Sequence, residues 1–202
     1  MNLIVLKCDW LQCKSSRTLA LPAEWTLSEL HDALQAAFGW NYEHMYCFEA
    51  QDGTRWEMDS PFADFADFDG GDENRNSAET TLGEAFPQVK SRLDYEYDFG
   101  DSNEVRIVRQ KDVVGNGPAC LKASGLMAEE DSAAFGYADG IASILEEGPE
   151  HEMYDELADW FGIENEDDVE RWIAVHTADA AAITKKLARI KPARQKKKRG
   201  KK

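Results

Sequence analysis

Alternating apolar and polar positions dominate the first half of the chain and predict β-strands. The segments "LIVLKC" and "RTLALP" predict a hairpin around "DWLQCKSS". The most regular stretch is "LDYEYDFGDSNEVRIV", residues 93 to 108, in which apolar residues alternate with carboxylates before a turn. A second alternating run follows the turn within the same stretch. This stretch predicts a second hairpin, in which Gly100 permits the reversal of the chain.

Shorter segments complete the predicted sheet. "HMYCFEA" and "TRWEM" predict two strands joined by "QDG", where the Asp-Gly pair is typical of a tight turn. "TLGEAF" predicts a short helical turn. Residues 60 to 79 are acidic, contain glycine and lack periodicity, which predicts a long, mobile surface loop.

One amphipathic helix interrupts the strands. Apolar residues spaced three to four apart predict a helix over "WTLSELHDALQAAFGW". Thr26 is a good N-cap, and Glu29 three residues later completes a capping box. Gly39 is the expected end of this helix, because a glycine can adopt the left-handed conformation that closes helices.

Helical periodicity replaces strand alternation in the second half of the chain. After Gly115 the sequence is predicted to be helical, with helices over "YADGIASILEE" and "EHEMYDELADWF". The last helix, residues 167 to 190, is expected to break near Thr177. Basic residues then follow without apolar periodicity, which predicts a disordered tail.

The order of these elements predicts an α+β fold with a mainly antiparallel sheet built from hairpins. One early helix packs on the sheet, and a C-terminal helical segment and a disordered basic tail follow. We expect an α+β domain over residues 1 to 162, a helix or helix pair over residues 163 to 190, and the tail over residues 191 to 202.

Charge is divided unevenly along the chain, whose formal net charge is −16. Residues 185 to 202 hold 11 of the 23 basic residues and none of the 39 acidic ones. The acidic remainder should repel nucleic acid, so we expect any contact with DNA or RNA to go through residues 191 to 202. Within them, Lys196, Lys197, Lys198 and Arg199 are the candidate phosphate contacts.

No apolar run is long enough to span a bilayer, which needs roughly 18 residues or more. The segment "MNLIVLKCDW" lacks the features of a signal peptide and is interpreted as a strand. The four cysteines are scattered, which favours structural thiols in a reducing cytoplasm. We therefore expect a cytoplasmic protein without a membrane partner.

The carboxylates of the most regular stretch pose the main chemical question. In a strand, Asp94, Glu96 and Asp98 would share one face, with neighbours roughly 6 to 7 Å apart. Such a row can serve acid/base chemistry or bind Mg²⁺ or Ca²⁺. It can equally be a solvated face opposite buried aromatic residues, with Arg106 as a cross-strand partner. The second interpretation is favoured.

Two histidines are the other candidates for chemistry. His31 lies at the edge of the apolar stripe of the predicted helix, and His44 begins the following strand. Together with Asp98 or Asp101 they would form a divalent-metal or catalytic group. A packing role for each histidine is the favoured alternative, and no cofactor is predicted. The chain lacks the common motifs of hydrolases, nucleotide-binding loops and zinc sites.

Three blocks resemble one known family: "LSELHDALQAAFGWNYEHMYCF", "LDYEYDFGDSNEVRIV" and, more weakly, "GPACLKASGLMAEEDSAAFGYADGIASIL". The chain resembles the plasmid pRiA4b ORF-3-like proteins, also described as passenger TnpR-like proteins of an insertion element. The resemblance covers most of residues 3 to 162. It implies a compact α+β domain found on chromosomes, plasmids and mobile elements, and it implies no established activity.

The chain also departs from that family. Asn103 and Val105 stand where members typically carry Trp and His, and "AEED" replaces a "PPED" block. His31, His44, Asp98 and Asp101 stand at matching positions. We therefore expect a non-catalytic binding or accessory protein, with the acidic domain contacting a protein partner and the basic tail contacting nucleic acid. The alternative is a metal-dependent, hydrolase-like enzyme that uses those four residues.

Overall fold

A computed structural model describes residues 1–58, 75–128, 150 and 154–191 of the 202-residue chain. Four predictions fall partly or wholly outside these residues. They are most of the acidic loop at 60 to 79, the helix over "YADGIASILEE", the start of the helix over "EHEMYDELADWF", and the tail beyond residue 191.

The described residues form an α+β fold with one nine-stranded sheet, which confirms the predicted fold class. The strand order is β5-β4-β3-β6-β7-β1-β2-β9, and β8 also pairs with β1. Only the β4–β5 pair is parallel; the other pairs are antiparallel. The strands are β1 (Asn2–Trp10), β2 (Ser15–Pro22), β3 (Tyr46–Ala50), β4 (Arg55–Glu57), β5 (Arg75–Asn76), β6 (Arg92–Tyr97), β7 (Asn103–Arg109), β8 (Val113–Val114) and β9 (Ala119–Ser124).

The helices of the described part cover one face of this sheet and one of its edges. They are α1 (Leu27–Phe38), α2 (Leu82–Ala85), α3 (Tyr154–Trp160), α4 (Glu166–His176) and α5 (Ala180–Leu187). None of them combines the length and the apolar character needed to cross a bilayer.

The first helix forms as its sequence predicts. The Thr26 hydroxyl accepts a hydrogen bond from the Glu29 amide, and the Glu29 carboxylate accepts one from the Thr26 amide at 2.6 Å. Gly39 ends the helix at φ 103° and donates its amide to the Gln35 carbonyl. These caps satisfy backbone groups that a helix end otherwise leaves unpaired.

The large core lies between α1 and the aromatic face of the sheet. Strand alternation puts Leu93, Tyr95 and Tyr97 of β6 on this face, each at most 1% exposed. Leu30, Leu34 and the other apolar residues of α1 pack onto it. On the opposite face, a small cluster of Leu3, Val5 and Ala20 is buried. Packing of α1 therefore determines which face of the sheet forms the large hydrophobic core.

Two strands were not predicted from the sequence. One is the two-residue β5, which lies in the segment 60 to 79 that was expected to be a loop. The other is β9. The chain was expected to be helical after Gly115, but Ala119–Ser124 forms β9 along the edge of β2. The register between β2 and β9 shifts between Thr18 and Leu19. Because of this irregularity, burial does not alternate along β9, and the period-two signal of a strand is lost.

The C-terminal helices close the other side of α1. The predicted break near Thr177 is present, because α4 ends at His176 and Asp179 caps the start of α5. Ile183 and Leu187 of α5 are buried, and α5 packs against β9 and α1. The Thr184 hydroxyl accepts a hydrogen bond from the Cys120 amide at 3.0 Å, which caps part of the exposed edge of β9.

A fully buried arginine joins α1 to β2 and β9. Arg17 donates from Nε to the Ala37 carbonyl at 2.8 Å, at the C-terminal end of α1. Its Nη1 donates to the carbonyls of Ser16 and Ser124, and its Nη2 to that of Leu126 at 2.8 Å. The guanidinium also lies 4.8 Å from the Phe38 ring centre. Its positive charge is thus held by carbonyl dipoles and by the negative end of the α1 dipole.

Candidate functional site

The predicted carboxylate row is a paired, half-exposed face rather than an open cluster. Asp94 and Glu96 lie on the face of β6 opposite the aromatic core. Asp94 forms ion pairs with Arg92 and with Arg106, whose Nε is 3.3 Å from Oδ1. Glu96 accepts a hydrogen bond from the Ser102 hydroxyl at 3.1 Å. The predicted role of Arg106 as a cross-strand partner is confirmed, because the strands align it with Asp94.

Asp98 does not continue this row. The strand ends at Tyr97, and Asp98 adopts a left-handed backbone at φ 59°. Its Oδ1 accepts a hydrogen bond from the Gly100 amide at 3.0 Å. The prediction that Gly100 permits the reversal was wrong, because the positive φ angles of this turn fall on Asp98 and Ser102. An aspartate tolerates this conformation because its short side chain can bond to the local backbone.

The structure brings His44 and Asp98 together, as the metal hypothesis requires. Nε2 of His44 lies 3.6 Å from Oδ2 of Asp98, and their side chains are 31% and 14% exposed. The His44 ring meets the Tyr97 ring edge-on, with 5.8 Å between centres. Asp101 lies in the same turn as Asp98 and is half-buried. One imidazole and the acidic turn therefore meet at this end of the sheet.

His31, the other candidate metal ligand, is buried in the core. Its ring stacks on Tyr46 with 3.8 Å between centres, and Nδ1 shares a 2.8 Å hydrogen bond with the Tyr95 hydroxyl. Burial lowers the pKa of His31 to about 3, so the imidazole is neutral at physiological pH. Gln35 donates its amide to the same hydroxyl at 3.2 Å, which leaves the tyrosine proton directed at Nδ1.

No group of three or more His, Cys, Asp or Glu side chains placed to hold a metal occurs among the described residues. The four cysteines are buried free thiols, and burial raises the pKa of Cys13 to about 12. The arrangement thus offers a His–Asp pair without a third ligand from these residue types. The candidate phosphate contacts Lys196, Lys197, Lys198 and Arg199 lie outside the described residues.

The blocks that carry the family resemblance converge on this end of the sheet. Trp40, directly after α1, packs against Trp10 and Tyr97 at centre distances of 5.3 and 5.2 Å. Asn103 and Val105, where the resemblance leads us to expect Trp and His, are buried opposite Tyr97 and Tyr95. A histidine at position 105 would therefore be buried on the strand next to Tyr95.

A cleft of about 520 Å³ opens beside this aromatic cluster. It runs along the less buried side of α1 and is bounded by the C-terminal end of α5. Its lining includes Asp32, Trp40, Asn41, Tyr42, Lys186 and Arg189. Burial, with a smaller contribution from Glu29, raises the pKa of Asp32 to about 6. The cleft was not predicted from the sequence, because its two sides come from opposite ends of the chain.

The fold and this site define an α+β protein with one packing helix and a cleft at the C-terminal end of that helix. The chain belongs to the plasmid pRiA4b ORF-3-like protein family, whose family model matches residues 6–172. The match includes the three blocks on which the resemblance was based, and it extends through Trp172 of α4.

The chain is similar to a bacterial protein and to an archaeal protein of known structure. The uncharacterized protein y4hQ of Sinorhizobium fredii is 31% identical over 151 residues, which cover 72% of this chain and 73% of that protein. The crystal structure of MM3350, a protein of unknown function from Methanosarcina mazei Go1, matches with a TM-score of 0.65. It is 22% identical, and the match covers 82% of this chain and 92% of that one. At that identity the likeness shows the fold alone.

Proposed function

We propose that this protein is a non-catalytic binding or accessory protein, associated with mobile elements. Its acidic folded body contacts a protein partner, and its basic C-terminal segment contacts nucleic acid. The division of charge supports this proposal most directly, because 11 of 23 basic residues and no acidic residue lie in residues 185 to 202. The phosphate backbone supplies most of the affinity of such sequence-independent contacts.

The way the basic segment leaves the fold supports the nucleic-acid contact. Ile183 and Leu187 anchor α5 in the core at 1% and 0% exposure. The cations that follow on and after this helix all point to solvent: Lys185, Lys186, Arg189 and Lys191. The basic segment is therefore anchored to the core through α5, and its cations are accessible to a ligand.

Exposed apolar side chains support the protein partner. Leu11, Met45 and Phe99 are 42%, 55% and 44% exposed. The backbones of their loops are linked, because Leu11 donates to Glu104 and Asp98 donates to Met45. Asp98 and Asp101 lie beside them. A partner surface that combines apolar with basic residues fits this end of the sheet.

The nucleic-acid contact predicts a salt-sensitive affinity that depends on the tail. Residues 191 to 202 carry eight Lys or Arg residues. If all of them contact phosphates, log K should fall with log salt at a slope of about −7 for duplex DNA. Fluorescence anisotropy with a labelled duplex measures this slope. Replacing Lys196, Lys197, Lys198 and Arg199 with glutamine should make the slope shallower by about 3 to 4.

A matched control removes four exposed lysines from the folded body instead, namely Lys7, Lys90, Lys111 and Lys122. This variant should bind as the wild type does. Equal loss in the two variants would show that the tail is not the contact. Absence of salt-sensitive binding by the full chain to DNA or RNA would remove the nucleic-acid half of the proposal.

The His44–Asp98 pair favours a second candidate, a metal-dependent hydrolase-like enzyme using His31, His44, Asp98 and Asp101. This candidate predicts about one divalent ion per chain in protein purified without chelator, and loss of that ion in His44→Gln. Elemental analysis decides between the candidates. A binding protein of the kind proposed above should give the same low metal content for the wild type and for His44→Gln.

A further inference from the structure

The cleft beside α1 is lined by two cations of the basic segment, Lys186 and Arg189. The proposed function gives these two no role apart from that of the segment as a whole. Lys186 and Arg189 lie three positions apart at the end of α5, so they project from the same side. Neither has a carboxylate at ion-pair distance among the side chains that the structure describes. Five other arginines of the described part do have one: Arg55, Arg92, Arg106, Arg109 and Arg171.

The helix dipole accounts for only part of this arrangement. Cations at the C-terminal end of α5 are stabilised by its dipole, and Lys185 benefits in the same way. However, of Lys185, Lys186 and Arg189, only the latter two line the cleft. Lys186 and Arg189 therefore give their side of the cleft a local positive charge, although the Asp32 carboxylate lines the same cleft.

An aromatic ring is held at the rim of the same cleft. Tyr42 adopts a left-handed backbone at φ 66°, which is unfavourable for a residue with a bulky side chain. Its amide donates to Gln35 Oε1 at 2.8 Å, and its hydroxyl donates to the Asp32 carbonyl at 3.3 Å. The ring is nevertheless 53% exposed. It is therefore both positioned and accessible, as a stacking platform for a planar group must be.

The other lining residues offer a hydrogen-bond acceptor and apolar surface to a ligand. The Asp32 carboxylate is half-buried and can accept hydrogen bonds from an amine or hydroxyl group. Trp40, Ala36 and Ile190 supply apolar surface to the same cleft. The volume of about 520 Å³ lies within the range of small-molecule sites.

We propose that this cleft binds a nucleotide. The phosphate contacts Lys186 and Arg189, the base stacks on Tyr42, and Asp32 accepts hydrogen bonds from an amino or hydroxyl group. The ligand is either a free nucleotide or a nucleotide within a nucleic acid strand, since both offer the same phosphate and ring. This site lies on the folded body and uses two cations of the basic segment, Lys186 and Arg189, but none of the tail residues 191 to 202.

Adenosine monophosphate is the probe, and the amide NMR spectrum of the full chain is the readout. We expect adenosine monophosphate to shift the amides of residues 39 to 42 and 189 to 190, with tighter binding than inorganic phosphate or adenosine alone. The double variant Lys186→Gln, Arg189→Gln should weaken binding by about tenfold or more, because it removes two charge-assisted contacts. Tyr42→Gly should weaken adenosine monophosphate without changing the response to inorganic phosphate.

The control variant Lys185→Gln removes the neighbouring cation that does not line the cleft, and it should bind as the wild type does. The variant with four tail cations replaced should also keep its affinity for adenosine monophosphate, which separates this site from the tail. Competition by a six-residue oligoadenylate at the same amides assigns the source to nucleic acid, and its absence assigns it to free nucleotide.

Three results would overturn the assignment. They are no shift at residues 39 to 42, equal affinity in the double variant and Lys185→Gln, and inorganic phosphate binding as tightly as adenosine monophosphate. The replaced cations are exposed, so the variants are expected to fold, and their amide spectra report folding directly.

Discussion

Replacing Arg17 with methionine is expected to lower the free energy of unfolding by about 3 to 5 kcal/mol, as does removal of one partner from a buried charge network. Methionine nearly matches the volume of the arginine stem but cannot donate hydrogen bonds. The carbonyls of Ala37 and Ser124 would then lose this donor, and that of Leu126 would keep only its hydrogen bond from the Ser15 hydroxyl. Each buried acceptor left unsatisfied costs about 1 to 3 kcal/mol. Urea denaturation, followed by fluorescence, measures the change.

Arg106→Met is the matched control. Arg106 also lies on a strand and pairs with Asp94, but its side chain is 41% exposed. Its loss should cost less than about 1 kcal/mol, because water screens an exposed ion pair. Arg17→Lys should be almost as destabilising as Arg17→Met, since one ammonium cannot reach three separated carbonyls. Equal stability of Arg17→Met and Arg106→Met would show that Arg17 does not join the helix to the sheet.

The sequence already contained a signal for Arg17. Residues of a strand that are two apart share a face, and Arg17 alternates with Leu19 and Leu21 in β2. An arginine on an apolar face must be buried with hydrogen-bond partners. The long-range partners were not predictable, because they come from α1, from the end of β9 and from Leu126 just after β9, all distant in the chain.

Local signals predicted the parts of the fold that depend on short-range contacts. The capping box at Thr26 and Glu29, the stop at Gly39 and the break near Thr177 are all present. The edge strand β9 was missed because its pattern is set by the irregular pairing with β2. A strand whose alternation depends on a distant partner leaves no periodic signal in its own sequence.

In the candidate site, too, short-range features could be predicted from the sequence and long-range contacts could not. The metal hypothesis, which was the less favoured one, grouped His44 with Asp98, and in the structure these two side chains lie 3.6 Å apart. His31 lies on the same helix face as the core, where Tyr95 and Tyr46 engage its ring. The cleft combines residues 32 to 42 with residues 186 to 190, and only tertiary packing of α5 on α1 brings these together.

The burial of His31 predicts a loss of stability in acid. Its pKa is about 3 in the folded protein, where desolvation disfavours the imidazolium, against 6.5 for an exposed histidine. Between these values the unfolded chain binds more protons than the folded one, so stability rises with pH and falls as the pH is lowered from 6.5 toward 3. The full loss is of the order of 5 kcal/mol. Urea denaturation at half-unit intervals of pH measures it.

His31→Phe isolates this contribution. Phenylalanine keeps an aromatic ring beside Tyr46 but cannot be protonated, and near pH 7 it loses about 1 kcal/mol with the Tyr95 hydrogen bond. Below pH 6 the variant should become the more stable protein. Asp32 acts in the opposite direction, because its raised pKa makes the folded state bind the extra proton between about 6 and 3.8. Asp32 is present in both proteins, so the difference between their pH profiles reports His31 alone.

Parallel pH profiles for the wild type and His31→Phe would contradict the prediction. They would mean that water or a rearranged Tyr95 hydroxyl solvates the imidazolium of His31. In that case His31 would be free to take a proton or a metal ion, and the case for a catalytic group formed with His44 and Asp98 would become stronger.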